Sequence, residues 1–159
     1  MGTFSITFLG TGTSAGIPVI GCSCRVCTSM DPRDQRLRTA LLVQAPDTSF
    51  VFDTPPDFRS QCLRAKICKL DAVVYTHSHI DHIAGFDDLR RFCEMENRGM
   101  PIYADPFTMD VLRRVFFYAF NYEGPVPKTY VRPEPVLIHA PFQLGQNLLV
   151  PVDLPHGKL

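Results

Sequence analysis

The stretch Thr76-His77-Ser78-His79-Ile80-Asp81-His82 constrains this chain more than any other. It follows directly on the apolar run Ala72-Val73-Val74-Tyr75. Imidazole and carboxylate are borderline-to-hard ligands that suit zinc, manganese or iron. In an extended chain His77 and His79 point to the same side, because side chains alternate with period two. Asp81 and His82 are adjacent, so they point differently and can serve a neighbouring ion. His77 and His79 are therefore read as ligands of one metal, and Asp81 and His82 as ligands of a second. The plain alternative is a polar turn rich in histidine. The chain has only 5 histidines, and scattered histidines rarely place three of them so close together.

A chain of 159 residues is long enough for one domain with a real core. Lys plus Arg and Asp plus Glu each number 16, so the formal net charge is zero. No basic excess exists to neutralise a long run of phosphates, which argues against a general DNA or RNA binder. No apolar run approaches the length of a membrane span. The start, Met1-Gly2-Thr3-Phe4-Ser5, lacks the basic region of a signal peptide. A cytoplasmic protein is the expectation. The 6 cysteines are then read as thiols and metal ligands rather than disulfides.

Thr3 to Leu9 alternates, with Phe4, Ile6 and Phe8 on one face, and predicts a strand. The turn from Gly10 to Gly16 lacks the Gly-Lys-Ser/Thr ending of a nucleotide loop. Thr39–Gln44 and Ser49–Phe52 read as paired strands. Asp57–Lys66 reads as a helix, Ala72–Tyr75 as a buried central strand, Phe86–Asn97 as a helix and Met100–Ala104 as a strand. Pro106–Tyr122 reads as one long helix. A proline-rich connection follows from Gly124 to Pro135. Strands are expected at Val136–His139 and Leu148–Leu154. Strands and helices in this order imply a layered α/β architecture.

Two further constellations carry chemistry. Cys22-Ser23-Cys24-Arg25-Val26-Cys27 places three thiols where a tetrahedral zinc would need one more ligand from elsewhere. Without an adjacent acid or base they look structural rather than catalytic. The alternative is three free thiols in a loop. Cys62, Cys68 and Cys93 read as small core residues. His156, flanked by Pro155 and Gly157, ends a strand and is placed to face a site that lacks ligands. Taken alone it would more often be a surface histidine. His139 has no such context and is left as structural. Asp53, at a strand end before Thr54-Pro55-Pro56, is read either as support that accepts hydrogen bonds from the metal loop or as a turn-initiating Asp.

The His77–His82 stretch matches the HxHxDH signature of the metallo-β-lactamase-fold hydrolases. The glycine turn through Ile17-Pro18, the three cysteines, and Pro151-Val152-Asp153-Leu154-Pro155-His156 resemble the PhnP-type phosphodiesterases of the carbon–phosphorus lyase pathway. The resemblance implies a four-layer αβ/βα sandwich, with residues 1–159 as one domain that supplies roughly its N-terminal part, and a cysteine-rich zinc loop at 21–27. It implies that His77, His79 and His156 hold one metal, and that Asp81 and His82 hold the other. Cys22, Cys24 and Cys27 would hold a separate structural zinc, and Asp53 would brace the metal loop. The site metals would be zinc or manganese, with iron in some members.

The family pattern also needs a bridging Asp, a later metal His and a late His for the cysteine site, and none of these lies before Leu159. The chain therefore looks like the first part of a longer protein. Such a piece would expose a sheet face meant for burial, and would aggregate or form a homodimer unless something covers it. The implied activity is a dinuclear phosphodiesterase that acts on a small cyclic phosphodiester, such as a phosphoribosyl cyclic phosphate, through a metal-bridging hydroxide. Asp81 is the catalytic candidate, and Lys158 is a candidate phosphate contact. A tRNA 3′-end endonuclease and a thioester hydrolase of the same fold are the alternatives. A third is a metal-binding fragment without catalysis.

Overall fold

The run Ala72–Val74 sits at the centre of the molecule, and all three residues are buried. The computed structural model describes residues 4–122, 124, 126–127 and 129–156. The chain forms β1 (Ser5–Gly10), β2 (Ala40–Gln44), β3 (Ser49–Phe52), α1 (Phe58–Ala65) and β4 (Ala72–Val74). It continues through α2 (Ile80–Ile83), α3 (Arg90–Glu96), β5 (Met100–Ala104), α4 (Pro106–Val115), α5 (Phe117–Phe120) and β6 (Pro133–Leu137). A hairpin of β7 (Phe142–Leu144) and β8 (Asn147–Leu149) follows. Six strands make one mixed sheet in the order β1-β2-β3-β4-β5-β6. The first two pairings are antiparallel and the last three parallel. No described helix is long and apolar enough to cross a membrane.

Alternation along the strands builds two cores, one on each face of the sheet. Leu42, Val51, Val73 and Ile102 point to the helical side, where they pack with Phe58, Phe86, Leu89, Met109 and Leu112. Val43, Phe50, Ala72 and Val74 point to the other side, where Leu144 and Phe142 of the hairpin cover them. Tyr103 stacks on Phe142 at 5.0 Å between ring centroids. The hairpin stops short of β1. Phe4, Ile6 and Phe8 share the hairpin's side, yet are 56%, 52% and 69% exposed.

Several predicted elements shift. The strand expected from Thr3 runs Ser5–Gly10, and Thr3 lies outside the described residues. The helix expected over Phe86–Asn97 opens as a 3-10 turn, Phe86–Leu89, before α3. The single helix expected over Pro106–Tyr122 breaks at Phe116, where φ and ψ are −109° and 39°. There the Phe116 ring stacks on Phe86 at 4.5 Å, and core packing outweighs helical continuity. The strand expected at Val136–His139 instead spans Pro133–Leu137. It tolerates Pro133 and Pro135 because it is an edge strand. Its residues alternate in direction: Arg132 accepts from Met100, and Ile138 donates to Ala104. The odd-numbered prolines therefore turn their missing N–H away from β5. In place of the strand expected at Leu148–Leu154 stands the short β8, and Val150, Val152 and Leu154 are exposed. Cys93 is buried and Cys62 partly so, but Cys68 is exposed rather than a core residue.

Behind the metal loop lies a buried polar pair. The hydroxyls of Thr54 and Tyr75 meet at 2.7 Å, and the two residues are 0% and 2% exposed. Tyr75→Phe strands the Thr54 hydroxyl, whose other acceptor, Ile83 O, is 3.5 Å away. The expected loss is about 1–3 kcal/mol in chemical denaturation, and adding Thr54→Val should recover part of it. Equal stability of Tyr75→Phe and the parent would show that the pair contributes nothing.

Candidate metal centre

β1, β3, β4 and β5 run in one direction, so their carboxyl ends share one edge of the sheet. The metal loop leaves that edge at the end of β4. His79, with φ −62° and ψ 146°, caps α2, and Asp81 and His82 lie in that short helix. The loop returns against β3: Thr54 N donates to His82 O, and Gly85 N donates to Thr54 O, both at 2.8 Å. Gly85 permits this approach, because a Cβ there would lie 2.7 Å from Phe58 Cβ.

The structure brings His77, His79 and His156 together, with ligand atoms within 4.8 Å of one another. His77 Nε2 is 3.1 Å from His79 Nδ1, and His156 Nε2 is 3.3 Å from the same atom. A tetrahedral ion with metal–nitrogen bonds of about 2.0–2.1 Å separates its ligands by about 3.3–3.4 Å. The donor set therefore fits one divalent ion. Asp81 and His82 stand beside it. Asp81 Oδ2 is 3.5 Å from His82 Nε2, and the His77 and His82 rings are 4.1 Å apart. They offer two donors to a neighbouring ion. His139 is exposed and outside the cluster, and Lys158 lies outside the described residues.

Asp53 controls which nitrogens face the candidate metal site. Its Oδ1 accepts from Thr76 N at 2.8 Å. Its Oδ2 accepts from Thr76 Oγ1 at 2.8 Å and from His82 Nδ1 at 2.7 Å. The Thr76 hydroxyl has spent its one proton on Asp53, so at 3.0 Å it accepts from His77 Nδ1. Both imidazoles thus carry the proton on Nδ1 and present the Nε2 lone pair outward. Asp53 is 2% exposed and sits in the left-handed region at φ 63°. Asp and Asn tolerate that region better than other non-glycine residues. The sequence placed Thr76 inside the motif but assigned it no role, and no local pattern marked the Thr54–Tyr75 pair.

Burial, reinforced by the neighbouring His82, holds the His77 pKa below its ordinary value and favours the neutral ligand. For His82, burial pulls the value down. The hydrogen bond to Asp53 and the charges of Asp53 and Asp81 outweigh burial and leave it raised. A raised histidine stabilises the metal-free fold fully below its unfolded value of 6.5, and that contribution is lost as pH rises through the higher folded value.

Cys22, Cys24 and Cys27 also converge, with sulfurs within 4.8 Å. Val19 N lies 3.3 Å from Cys27 Sγ. The Cys24 thiol is lowered to about 7, chiefly by the backbone N–H of Cys27 and then by the Cys22 thiol. The backbone N–H of Val19 likewise lowers the Cys27 thiol, but burial and the other two cysteines outweigh it and leave that thiol raised.

Residues 48–159 match the beta-lactamase superfamily domain. A curated Porphyromonas gingivalis protein named octanoyltransferase is 40% identical over 158 residues, which cover 95% of this chain but 30% of that protein. Its name describes a protein of which more than two thirds lies outside the match. The crystal structure of a diphosphatase from the PhnP family is 41% identical, with a TM-score of 0.84, over 94% of this chain and 56% of that one. Zinc-bound PqqB from Methylobacterium extorquens shares the fold at 20% identity, with a TM-score of 0.66, over 89% of this chain and 48% of that one. The chain thus spans about half or less of these relatives. Its mixed sheet with helices on one face and a hairpin on the other is one half of the αβ/βα sandwich.

Two expectations follow. Asp53→Asn keeps the backbone shape but cannot accept from both partners at Oδ2, so zinc affinity should fall about 10–100-fold in competition with a chelator. Unchanged affinity would remove Asp53 from the site. In the metal-free protein Cys24 should be the first thiol alkylated by iodoacetamide, at a rate rising with pH through about 7. Zinc should protect it, and faster labelling of Cys27 would contradict this assignment.

Proposed function

The chain belongs to the beta-lactamase superfamily, and we propose that it is the metal-binding half of a dinuclear phosphodiesterase of the PhnP type. The observation that carries this reading is the trio of histidine nitrogens at 3.1 Å and 3.3 Å, with His77 oriented by Asp53 through Thr76. Identity of 41% to a PhnP-family diphosphatase supports phosphorus rather than acyl chemistry. Divalent zinc or manganese, when bound, supplies Lewis-acid activation of water and charge neutralisation at the phosphoryl group. The chain's own residues supply position. His77, His79 and His156 would hold one ion, and Asp81 and His82 the other. Asp53 fixes the tautomers, so no reorientation is needed during reaction. Asp81 is the catalytic candidate, since the other carboxylate at the site, Asp53, is buried and already accepts three hydrogen bonds. The three thiols suit a structural zinc and a reducing, cytoplasmic setting. A small phosphodiester is the substrate class, because charge parity offers no track for a long nucleic acid.

The test is hydrolysis of bis(p-nitrophenyl) phosphate by the metal-loaded product of the full reading frame. The diester should be cleaved and nitrocefin, a β-lactam, should not. His77→Ala should lower kcat about a hundredfold or more, beyond the effect usual for an outer-shell residue. A protein that holds both metals yet cleaves no diester would overturn the reading.

A further inference from the structure

The loop of residues 17–31 holds no buried residue. Ile20 and Met30 are 99% and 92% exposed, so no apolar core orders it. Beyond the bridge from Ile17 to Arg36, its backbone hydrogen bonds run to near neighbours. Cys22 N donates to Val19 O, Thr28 N to Cys24 O and Ser29 N to Val26 O. A segment without a core needs a cross-link to hold one shape. The groups that can supply one are the sulfurs of Cys22, Cys24 and Cys27, within 4.8 Å of one another. Zinc is one staple that such a set accepts. A disulfide is another, and it uses two of the three sulfurs.

Cys24 and Cys27 are the pair best placed to form it. The Thr28 N–H and hydroxyl both donate to the Cys24 carbonyl at 3.0 Å, which closes one turn of chain from Cys24 to Thr28. Residues three apart on such a turn share a face. Cys-x-x-Cys is also the spacing of reversible dithiols. Cys22 lies before the turn. Cys24 is exposed, whereas Cys27 is half-buried with Val19 N 3.3 Å from its Sγ, so an oxidant meets Cys24 first. Cys93 is buried, and Cys68, though exposed, belongs to no such cluster among the described residues. We propose that Cys24 and Cys27 are a peroxide-responsive dithiol, whose disulfide displaces zinc and takes over as the staple of this loop. The Cys24 thiol reacts with hydrogen peroxide: an S–O bond forms, the O–O bond breaks, and sulfenic acid and water result. The Cys27 sulfur then attacks the Cys24 sulfur. The S–S bond forms, the S–O bond breaks, and the departing hydroxide leaves with the Cys27 proton as water. The two sulfurs together lose two electrons, which the peroxide gains. Cys22 alone cannot hold the ion, and a dithiol reductant restores the site. Only the identity of the displaced ion rests on the zinc reading; the dithiol stands on the sulfur geometry.

The test is peptide mapping by mass spectrometry, without reductant, after the metal-free product of the full reading frame meets hydrogen peroxide. Cys24 should be found joined to Cys27, with Cys22 still free to alkylate. Trypsin should cut after Arg25, inside the closed ring, about tenfold more slowly than in the reduced metal-free protein. In Cys27→Ser the sulfenic acid should persist on Cys24 and take up dimedone. Peroxide should cost the zinc-loaded protein about one zinc per chain, which dithiothreitol and fresh zinc restore. Failure of any disulfide to form within the trio, or a main product that joins Cys22, would overturn the assignment. So would Cys24 left unlabelled in Cys27→Ser. Equal cutting at Arg25 in the reduced and oxidised proteins would remove the staple. A Cys24–Cys27 disulfide in a protein whose reduced cysteines bind no zinc would sink the zinc reading and leave the dithiol standing.

Discussion

The metal loop depends on one buried carboxylate. Asp53 ends β3, turns into the left-handed region, and takes three hydrogen bonds from the segment that follows β4. A buried carboxylate is tolerable only when its lone pairs are filled, and here Thr76 and His82 fill them. The same bonds decide which face of each imidazole is basic. Fold and ligand chemistry are thus coupled through a single side chain, and neither can change without the other.

The rest of the architecture delivers partners to that carboxylate. Parallel pairing of β3 with β4 sets their carboxyl ends side by side, so Asp53 and Thr76 meet. The Thr54–Tyr75 pair repeats the contact one residue along each chain, on the buried side. Gly85 then lets the helix with Asp81 and His82 fold back onto Thr54. His156 reaches the cluster from beyond the hairpin, so the trio joins residues 77 positions apart.

Much of this was legible in local pattern. The alternation of β2 and β3, the apolar run of β4 and the crowding of His77, His79, Asp81 and His82 are short-range signals, and the structure brings those histidines to one place. What escaped the sequence depends on contacts distant along the chain. The break at Phe116 is imposed by Phe86, thirty residues earlier. The strand at Pro133–Leu137 was hidden because proline argues against strands, and only its place at the sheet edge makes it tolerable. The hydroxyl of Tyr75 looked like part of an apolar strand, since nothing nearby in sequence names Thr54 as its partner.

The two prolines of β6 have a consequence for how this sheet meets other chains. Pro133 and Pro135 remove two donors from the outward rim of that strand. A foreign strand laid there finds acceptors without matching N–H groups, so growth of the sheet stalls on that side. β1, at the opposite end, carries no proline between Ser5 and Gly10 and flanks an open apolar face. Self-association is therefore directional: added strands, whether in a dimer or in an early aggregate, are steered to β1.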